Sequence, residues 1–232
     1  MGIKVMQKLY IIHGWTYKPE PWEEVIAVLK KEYKIDAELL RVPGLGTKSA
    51  EVYTIDDYVT WAVKHIPKGS IALGHSNGGR ILLNMLVQKG SDYLKGLILL
   101  DSAGIYEASR KNELMRKMSK AFSPLKKSKL ARKVVHKVLG VHDYNDAPEN
   151  MKKTMTNMLD SDKELDISQI TTKTQIIWGT DDQMTPLRQG EKMHKLLKNS
   201  KLTIKEGWRH SHYLRDIKAT AAEIAKQYEE LK

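Results

Sequence analysis

The amino-acid sequence predicts an α/β protein in which a mostly parallel, open β-sheet is flanked by helices and interrupted by an inserted helical cap. Short aliphatic runs alternate with helical patterns along most of the chain, which is typical of β-α-β units and a parallel sheet. Runs such as residues 97–100 are apolar throughout, as in strands that are covered on both faces. The alternation is broken between residues 103 and 171, where helical patterns occur without a convincing strand.

The predicted sheet has six strands, at Lys8–Ile12, Ala37–Val42, Ser70–Leu73, Gly96–Leu100, Thr174–Trp178 and Lys201–Lys205. Five helices are predicted to cover it, at Pro21–Glu32, Ile55–His65, Gly78–Gln88, Pro186–Lys198 and Asp216–Leu231. Pro21 and Pro186 suit a first helical turn, where the missing N–H would have no partner in any case. Residues 1–102 and 172–232 are therefore expected to form the core.

Residues 103–171 are expected to form the cap. Met151, Met155 and Met158 recur at helical spacing and share one face of a predicted helix. Together with Met115 and Met118, they are expected either to give the site beneath an adaptable apolar lining or to pack cap helices against each other.

The composition excludes several classes of protein. The 232 residues include no cysteine, so thiol catalysis, cysteine zinc sites and disulfide frameworks are excluded. No run approaches the roughly 18 to 20 apolar residues that span a bilayer. Since the N-terminus also lacks the pattern of a secretory signal, we expect a cytoplasmic protein.

The net charge of +11 is concentrated in one segment. Residues 110–137 contain eleven Lys or Arg against the single acid Glu113. This basic segment is interpreted as a solvated helical face, with weak attraction to anionic substrates or an acidic membrane surface as the alternative. No nucleic-acid motif accompanies the lysines, so a nucleic-acid partner is not expected.

The run Gly74-His75-Ser76-Asn77-Gly78-Gly79 carries the clearest chemical signal. It places Ser76 directly between a predicted strand and a predicted helix, which is the context that gives a Gly-x-Ser-x-Gly pattern meaning. Gly74 and Gly78 allow a sharp turn that lifts the serine hydroxyl to the carboxyl end of the sheet, where open α/β sheets bind ligands. Ser76 is therefore the candidate nucleophile, and the alternative is a serine in a tight turn or a phosphate-binding loop.

A serine hydroxyl needs a base to remove its proton and a third group to orient that base. Two later loops offer such groups. Asp181 and Asp182 follow the fifth predicted strand, and His210 and His212 follow the last one. The chain order is then Ser, Asp, His.

These motifs resemble the α/β-hydrolase family over nearly the whole chain. The loop from Gly179 to Pro186 is similar to the family's Gly-x-x-Asp-x-x-Val/Thr-Pro pattern, and this register favours Asp182 over Asp181 as the acid. Asp101, at the end of the fourth predicted strand, matches the place where some branches carry their acid. Its alternative role is that of a capping or loop hydrogen-bond acceptor.

The resemblance also implies a base and two backbone donors. The run Gly207-Trp208-Arg209-His210 resembles the family's histidine loop and favours His210 over His212. The run His13-Gly14-Trp15 resembles the oxyanion turn, which implies that the backbone N–H groups of Trp15 and Asn77 stabilise a tetrahedral oxyanion. His75 is expected to be structural.

No metal or other cofactor is expected. The histidines lack metal-ligand spacing, and although His210 and His212 could lie on one side of a strand, no third ligand is evident.

The resemblance implies a carboxylic-ester hydrolase that acts on a small-molecule ester or lactone through an acyl-enzyme intermediate. A lactonase, a thioesterase or a hydrolase of carbon–carbon bonds in ring-cleavage products remains open on the same fold. A non-catalytic or peripheral binder of anionic surfaces, using the basic cap, is the alternative of another class.

Overall fold

A computed structural model of the chain describes residues 7–107 and 147–232. The basic segment 110–137, with Met115 and Met118 of the predicted cap, lies outside the described residues. The described part contains the strands β1 Leu9–Ile12, β2 Ala37–Leu40, β3 Ser70–His75, β4 Leu94–Leu100, β5 Thr174–Gly179 and β6 Ser200–Lys205. Its α-helices are α1 Pro21–Tyr33, α2 Ile55–His65, α3 Asn77–Lys89, α4 Glu149–Ser161, α5 Leu187–Leu196 and α6 Ile217–Leu231.

The six strands form one parallel sheet in the order β2-β1-β3-β4-β5-β6. The chain adds β2 on one side of β1 and then β3 on the other, so the direction of winding reverses between β1 and β3. At such a switch point the following loops diverge and leave a crevice at the carboxyl ends of the strands. The loop after β1 and the turn after β3 therefore meet where a ligand site is expected.

Helices cover both faces of the sheet, as predicted. Residues of α2, α3 and α5 pack in one apolar core with the side chains of one sheet face, among them Tyr58, Ile81 and Met193. Residues of α1 and α6 pack in a second core on the other face, among them Trp22 and Tyr228. The apolar continuity of the strands is explained by this double coverage, since β3 is buried at every position.

The ends of some elements differ from the prediction. β3 continues to His75, because Gly74 remains extended and pairs with Ile12 and Leu99 of the neighbouring strands. α5 begins at Leu187, so that Pro186 is its N-cap residue instead of its first residue.

α4 lies within the region predicted as a cap. Met151, Met155 and Met158 are buried on it, which agrees with their helical spacing. Thr154 accepts a hydrogen bond from the N–H of Tyr53 at 2.9 Å, so α4 contacts the loop that leads into α2. In the residues that the structure describes, no helix is long and apolar enough to cross a membrane.

Candidate active site

Ser76 lies in a strained turn between β3 and α3. Its φ of 51° and ψ of −118° place a non-glycine residue in a region that costs about 1 to 3 kcal/mol. The surrounding backbone holds this conformation, because Ser76 N–H donates to the carbonyl of Leu100 at 3.1 Å and its own carbonyl accepts the N–H of Ala103 at 3.0 Å. The turn thereby places Ser76 directly between the end of β3 and the start of α3.

The glycines of this turn allow a close approach of strand and helix. A Cβ on Gly74 would lie 2.5 Å from the Cα of Gly79, and a Cβ on Gly78 would lie 2.1 Å from the carbonyl oxygen of Ile12. Both distances are far below van der Waals contact, so side chains at these positions would push α3 away from β1 and β3.

Ser76, His210 and Asp182 form a continuous hydrogen-bonded chain. His210 Nε2 lies 2.9 Å from Ser76 Oγ, and His210 Nδ1 lies 2.7 Å from Asp182 Oδ2. The carboxylate requires a donor at Nδ1, which leaves Nε2 as the acceptor of the serine proton. This order of hydroxyl, imidazole and carboxylate is able to activate a serine as a nucleophile.

Asp182 is buried but well supplied with donors. Its Oδ1 accepts the N–H groups of Met184 at 2.7 Å and Thr185 at 2.8 Å, and its Oδ2 accepts the hydroxyl of Thr185 at 2.7 Å. Burial opposes ionisation, but the interaction with His210 and these hydrogen bonds outweigh it and lower the pKa of Asp182. The carboxylate is therefore kept charged beside the imidazole.

The interaction with Asp182 raises the pKa of His210. Burial disfavours the imidazolium, but the charge of Asp182 and its hydrogen bond outweigh this effect and raise the pKa of His210. The side chain of His210 is 18% exposed, whereas that of Asp182 is fully buried. His210 is thus the member of the pair that a substrate can reach.

The alternative acids lie elsewhere. Asp181 is exposed, and its Oδ1 accepts the hydroxyl of Thr180 at 3.2 Å. Asp101 is fully buried with a positive φ of 44°, and its Oδ1 accepts the N–H of Gly179 at 2.9 Å. Burial, reinforced by the nearby charge of Asp182, raises the pKa of Asp101 well above its usual range. Asp101 therefore acts as a loop hydrogen-bond acceptor in this structure.

His212 does not join the chain of hydrogen bonds. Its ring stacks on Trp208 with 4.1 Å between centroids, and burial lowers its pKa. The idea that His210 and His212 lie on one side of a strand is wrong, because β6 ends at Lys205 and His212 begins a 3-10 turn. In residues 7–107 and 147–232, no group of three or more His, Asp or Glu side chains is arranged to hold a metal ion.

The two predicted backbone donors border the same cavity as Ser76. Trp15 follows β1, and Asn77 is the first residue of α3. Within the described part of the chain, neither N–H donates to another backbone group. Both residues line a cavity of about 100 Å³ together with Ser76 and His210.

Helix α4 forms one wall of this cavity. Met155, Met158 and Leu159 line it from α4, and Met184 lines it from the loop of Asp182. The wall consists mostly of apolar, unbranched side chains, which suits an apolar ligand group better than a charged one.

Two histidines hold the surrounding loops. His13 is fully buried; its Nδ1 donates to the carbonyl of Gly14 at 2.8 Å, and its Nε2 accepts the N–H of Val42 at 3.0 Å. His75 donates from Nε2 to the carbonyl of His210 at 2.7 Å. Burial lowers the pKa of His13 to about 4 and that of His75 to about 3, so both are neutral at physiological pH.

Two side chains near the site, those of Thr185 and Arg80, were not among the predicted site residues. The hydroxyl of Thr185 lies 3.0 Å from the carbonyl of Asp101 and 3.2 Å from His210 Nδ1, in addition to its bond with Asp182. Arg80 is buried on α3 and lines the cavity. The only signal for Arg80 in the sequence was a charged residue directly before the apolar run of residues 81–83.

Comparison with known proteins identifies the fold family. A family described as alpha/beta hydrolase fold matches residues 9–216. The chain is 28% identical over 220 residues to the uncharacterized hydrolase YugF of Bacillus subtilis, covering 84% of this chain and 80% of that protein. It is 23% identical over 237 residues to a pimeloyl-[acyl-carrier protein] methyl ester esterase of Neisseria meningitidis, covering 94% and 91%.

Solved structures share the architecture at low identity. A structure from a study of carboxylesterases of Nitrososphaera gargenis superposes with a TM-score of 0.73 at 14% identity, covering all of this chain and 93% of that one. A thermophilic esterase from Thermogutta terrifontis gives a TM-score of 0.70 at 16% identity, covering 97% and 90%. At these identities the likeness establishes the fold.

Proposed function

The chain belongs to the α/β-hydrolase fold family, and on that premise we propose that it is a serine esterase that hydrolyses small to medium carboxylic esters through an acyl-enzyme intermediate. The observation that carries the proposal is the hydrogen-bonded chain from Ser76 through His210 to Asp182 beside an apolar cavity. Fold alone does not identify an activity, so the proposal depends on this arrangement of side chains.

In the first half-reaction, Ser76 Oγ attacks the ester carbonyl while His210 Nε2 removes its proton. The negative charge that develops on the carbonyl oxygen is stabilised by the N–H groups of Trp15 and Asn77, which border the cavity beside Ser76. Asp182 orients His210 and stabilises the imidazolium. The tetrahedral intermediate then collapses, His210 returns the proton to the leaving alkoxide, and the alcohol departs.

In the second half-reaction, His210 removes a proton from water, and the resulting hydroxide attacks the acyl carbonyl of Ser76. Collapse of this second tetrahedral intermediate releases the carboxylic acid and returns the proton to Ser76 Oγ. The raised pKa of His210 helps it to accept a proton in both steps.

A fluorophosphonate probe tests the nucleophile directly. The probe is expected to label the wild type and to fail on Ser76→Ala. Ser102→Ala is a matched control, because this buried serine adjoins the site but donates to the carbonyl of Ala103 at 2.7 Å instead of to a histidine. Equal labelling of the wild type and Ser76→Ala would contradict the proposal.

The bond that is cleaved is tested with a substrate panel. Short and long nitrophenyl esters, methyl esters, lactones, thioesters and dienoate ring-cleavage products would be compared by kcat/KM. Ester hydrolysis is preferred because a similar protein is named as a methyl ester esterase and a structural neighbour as an esterase. The apolar wall from α4 supports the same preference, and residues 103–171 are proposed to be the cap that bears this wall.

A further inference from the structure

A buried ion pair joins α3 to the end of α4. Arg80 donates from Nε and Nη2 to the two carboxylate oxygens of Asp162 at 2.7 and 2.8 Å. Both side chains are only 7% exposed. Two parallel hydrogen bonds between planar charged groups fix their relative orientation as well as their distance. The contact therefore fixes the C-terminal end of α4 against the first turn of α3.

The third nitrogen of the Arg80 guanidinium contacts Asn77, the residue after the candidate nucleophile. Arg80 Nη1 donates to Asn77 Oδ1 at 2.6 Å. Within the described residues, Asn77 Nδ2 is buried and has no hydrogen-bond partner. Arg80 therefore supplies the hydrogen bond that orients the Asn77 side chain.

The two ends of this network belong to different parts of the proposed site. Asp162 directly follows α4, whose residues Met155, Met158 and Leu159 form the apolar wall of the cavity. Asn77 carries one of the two backbone N–H groups proposed to bind the oxyanion. We call this apolar wall the acyl wall. The guanidinium is thus hydrogen-bonded both to Asp162, at the end of the helix that bears the acyl wall, and to the side chain of the residue that carries an oxyanion donor.

We propose that Arg80 is a positioning residue that holds the oxyanion donor of Asn77 in register with the acyl wall of α4. This inference rests on the proposed esterase function. Oxyanion donors act only within a narrow range of distance and angle, and a displacement of about 1 Å can lower a rate by about 100-fold. Release of Asn77 and α4 from Arg80 is therefore expected to lower kcat.

A direct contact between Arg80 and an anionic group of the substrate is the competing role. Asp162 already occupies the edge of the guanidinium that would bind a second carboxylate in parallel, and it neutralises the charge. The geometry thus favours positioning over substrate binding. The two roles predict different kinetics, because positioning affects kcat for every ester, whereas substrate binding affects KM for anionic esters.

The test uses the double variant Arg80→Met/Asp162→Leu in the full chain. Removal of both charges leaves no unpaired buried ion, and apolar replacement of such pairs is commonly tolerated. We would measure the melting temperature, kcat and KM for nitrophenyl butyrate and for a nitrophenyl ester that carries a carboxylate. We would also measure Ki for a trifluoromethyl ketone, whose adduct with serine places an oxyanion in the same position. Arg188→Met is the matched control, since Arg188 pairs with Glu107 with its side chain 58% exposed.

The double variant is expected to keep its melting temperature, to lose about tenfold to 100-fold in kcat, and to raise Ki by a similar factor. Arg188→Met should retain the wild-type values. Wild-type kcat and Ki in the folded double variant would overturn the inference, as would a change confined to KM for anionic esters. If the double variant does not fold, Arg80→Lys is measured in the same way, because one ammonium group cannot reproduce the three hydrogen bonds.

Failure of the proposed function would look different. A wild type that is not labelled by a fluorophosphonate would contradict the esterase proposal itself. A wild type that is labelled at Ser76, together with a double variant that has unchanged kcat and Ki, would contradict only the role of Arg80.

Discussion

His75 donates its Nε2–H to the main-chain carbonyl of His210 at 2.7 Å, so the residue before the candidate nucleophile holds the backbone of the candidate base. The two rings lie 5.0 Å apart, and the ring of His75 also packs edge-on against Tyr213 at 5.3 Å. Tyr213 stacks in turn on Trp22 of α1 at 4.5 Å. The loop of His210 is thereby tied both to the nucleophile turn and to one of the two cores.

This contact predicts that His75→Gln is tolerated better than His75→Phe. The glutamine amide can reproduce a donor near the position of Nε2, whereas phenylalanine leaves the carbonyl of His210 without one. We expect His75→Phe to lose about tenfold in kcat, which corresponds to about 1.4 kcal/mol, a reasonable value for one buried hydrogen bond. Steady-state kinetics of both variants with one nitrophenyl ester check this, and equal kcat values would contradict it.

The identity of the acid is tested by three isosteric variants. We expect Asp182→Asn to lose about 10³- to 10⁴-fold in kcat, because an amide cannot hold His210 in the required tautomer. Asp181→Asn and Asp101→Asn should remain within about threefold of the wild type, since neither carboxylate hydrogen-bonds to His210. A larger loss of kcat in Asp101→Asn than in Asp182→Asn would identify Asp101, instead of Asp182, as the acid that orients His210.

The electrostatics of the pair predict the pH dependence of the reaction. His210 has to be neutral to accept a proton, and its pKa is raised by Asp182. The kcat/KM should therefore rise with pH through an inflection above about 6.5, the usual imidazole value. The residual activity of Asp182→Asn should show this inflection at lower pH, because the charge that favours the imidazolium is gone. An unshifted inflection in that variant would contradict the prediction.

Gly78 offers a test of the close approach between α3 and β1. A Cβ would lie 2.1 Å from the carbonyl oxygen of Ile12, so we expect Gly78→Ala to cost more than about 3 kcal/mol of unfolding free energy, the range of large steric defects. Gly69→Ala is the control. Its φ of 82° is unfavourable for alanine, but no atom lies within 4 Å of the new Cβ. Denaturant unfolding should rank the two variants in this order, and equal losses would contradict the steric explanation.

Local patterns predicted the strands and the core helices because burial on both faces imposes apolar runs, and helical coverage imposes a 3.6-residue period. The errors occur at the ends, where a local rule competes with a tertiary contact. Gly74 reads as a turn residue, yet it continues β3, because its missing side chain is needed for contact with Gly79 rather than for a bend.

The residues of the candidate site were predictable from the sequence where a single loop carries the motif. Ser76, Asp182 and His210 each stand in a short motif after a strand, and the structure brings them within hydrogen-bond distance. The pair of Arg80 and Asp162 spans 82 residues, and no pattern in one sequence connects two positions so far apart. The second partner of Thr185, the carbonyl of Asp101, is likewise a contact between two loops that only the folded chain brings together.

The buried Asp101 predicts a specific change of protein stability with pH. The pKa of its side chain is raised well above the unfolded value of about 3.9, mainly by burial. The folded state therefore binds a proton more tightly than the unfolded state, and the contribution of Asp101 to stability falls as pH rises through and above 4. Asn tolerates a positive φ and keeps the oxygen that accepts the N–H of Gly179.

We accordingly expect the melting temperature of Asp101→Asn, relative to the wild type, to increase from pH 4 to pH 7. An unpaired amide hydrogen of the new asparagine would lower the melting temperature by an amount that does not depend on pH. The test therefore depends on how the difference in melting temperature between variant and wild type changes with pH. Asp166→Asn supplies the opposite sign, because hydrogen bonds from Ser168 lower the pKa of Asp166, and its contribution to stability is lost as pH falls. Thermal melts of both variants at matched ionic strength check the two slopes. A flat or falling difference for Asp101→Asn would mean that Asp101 is ionised in the folded protein at no cost, and burial would not be the dominant influence on it.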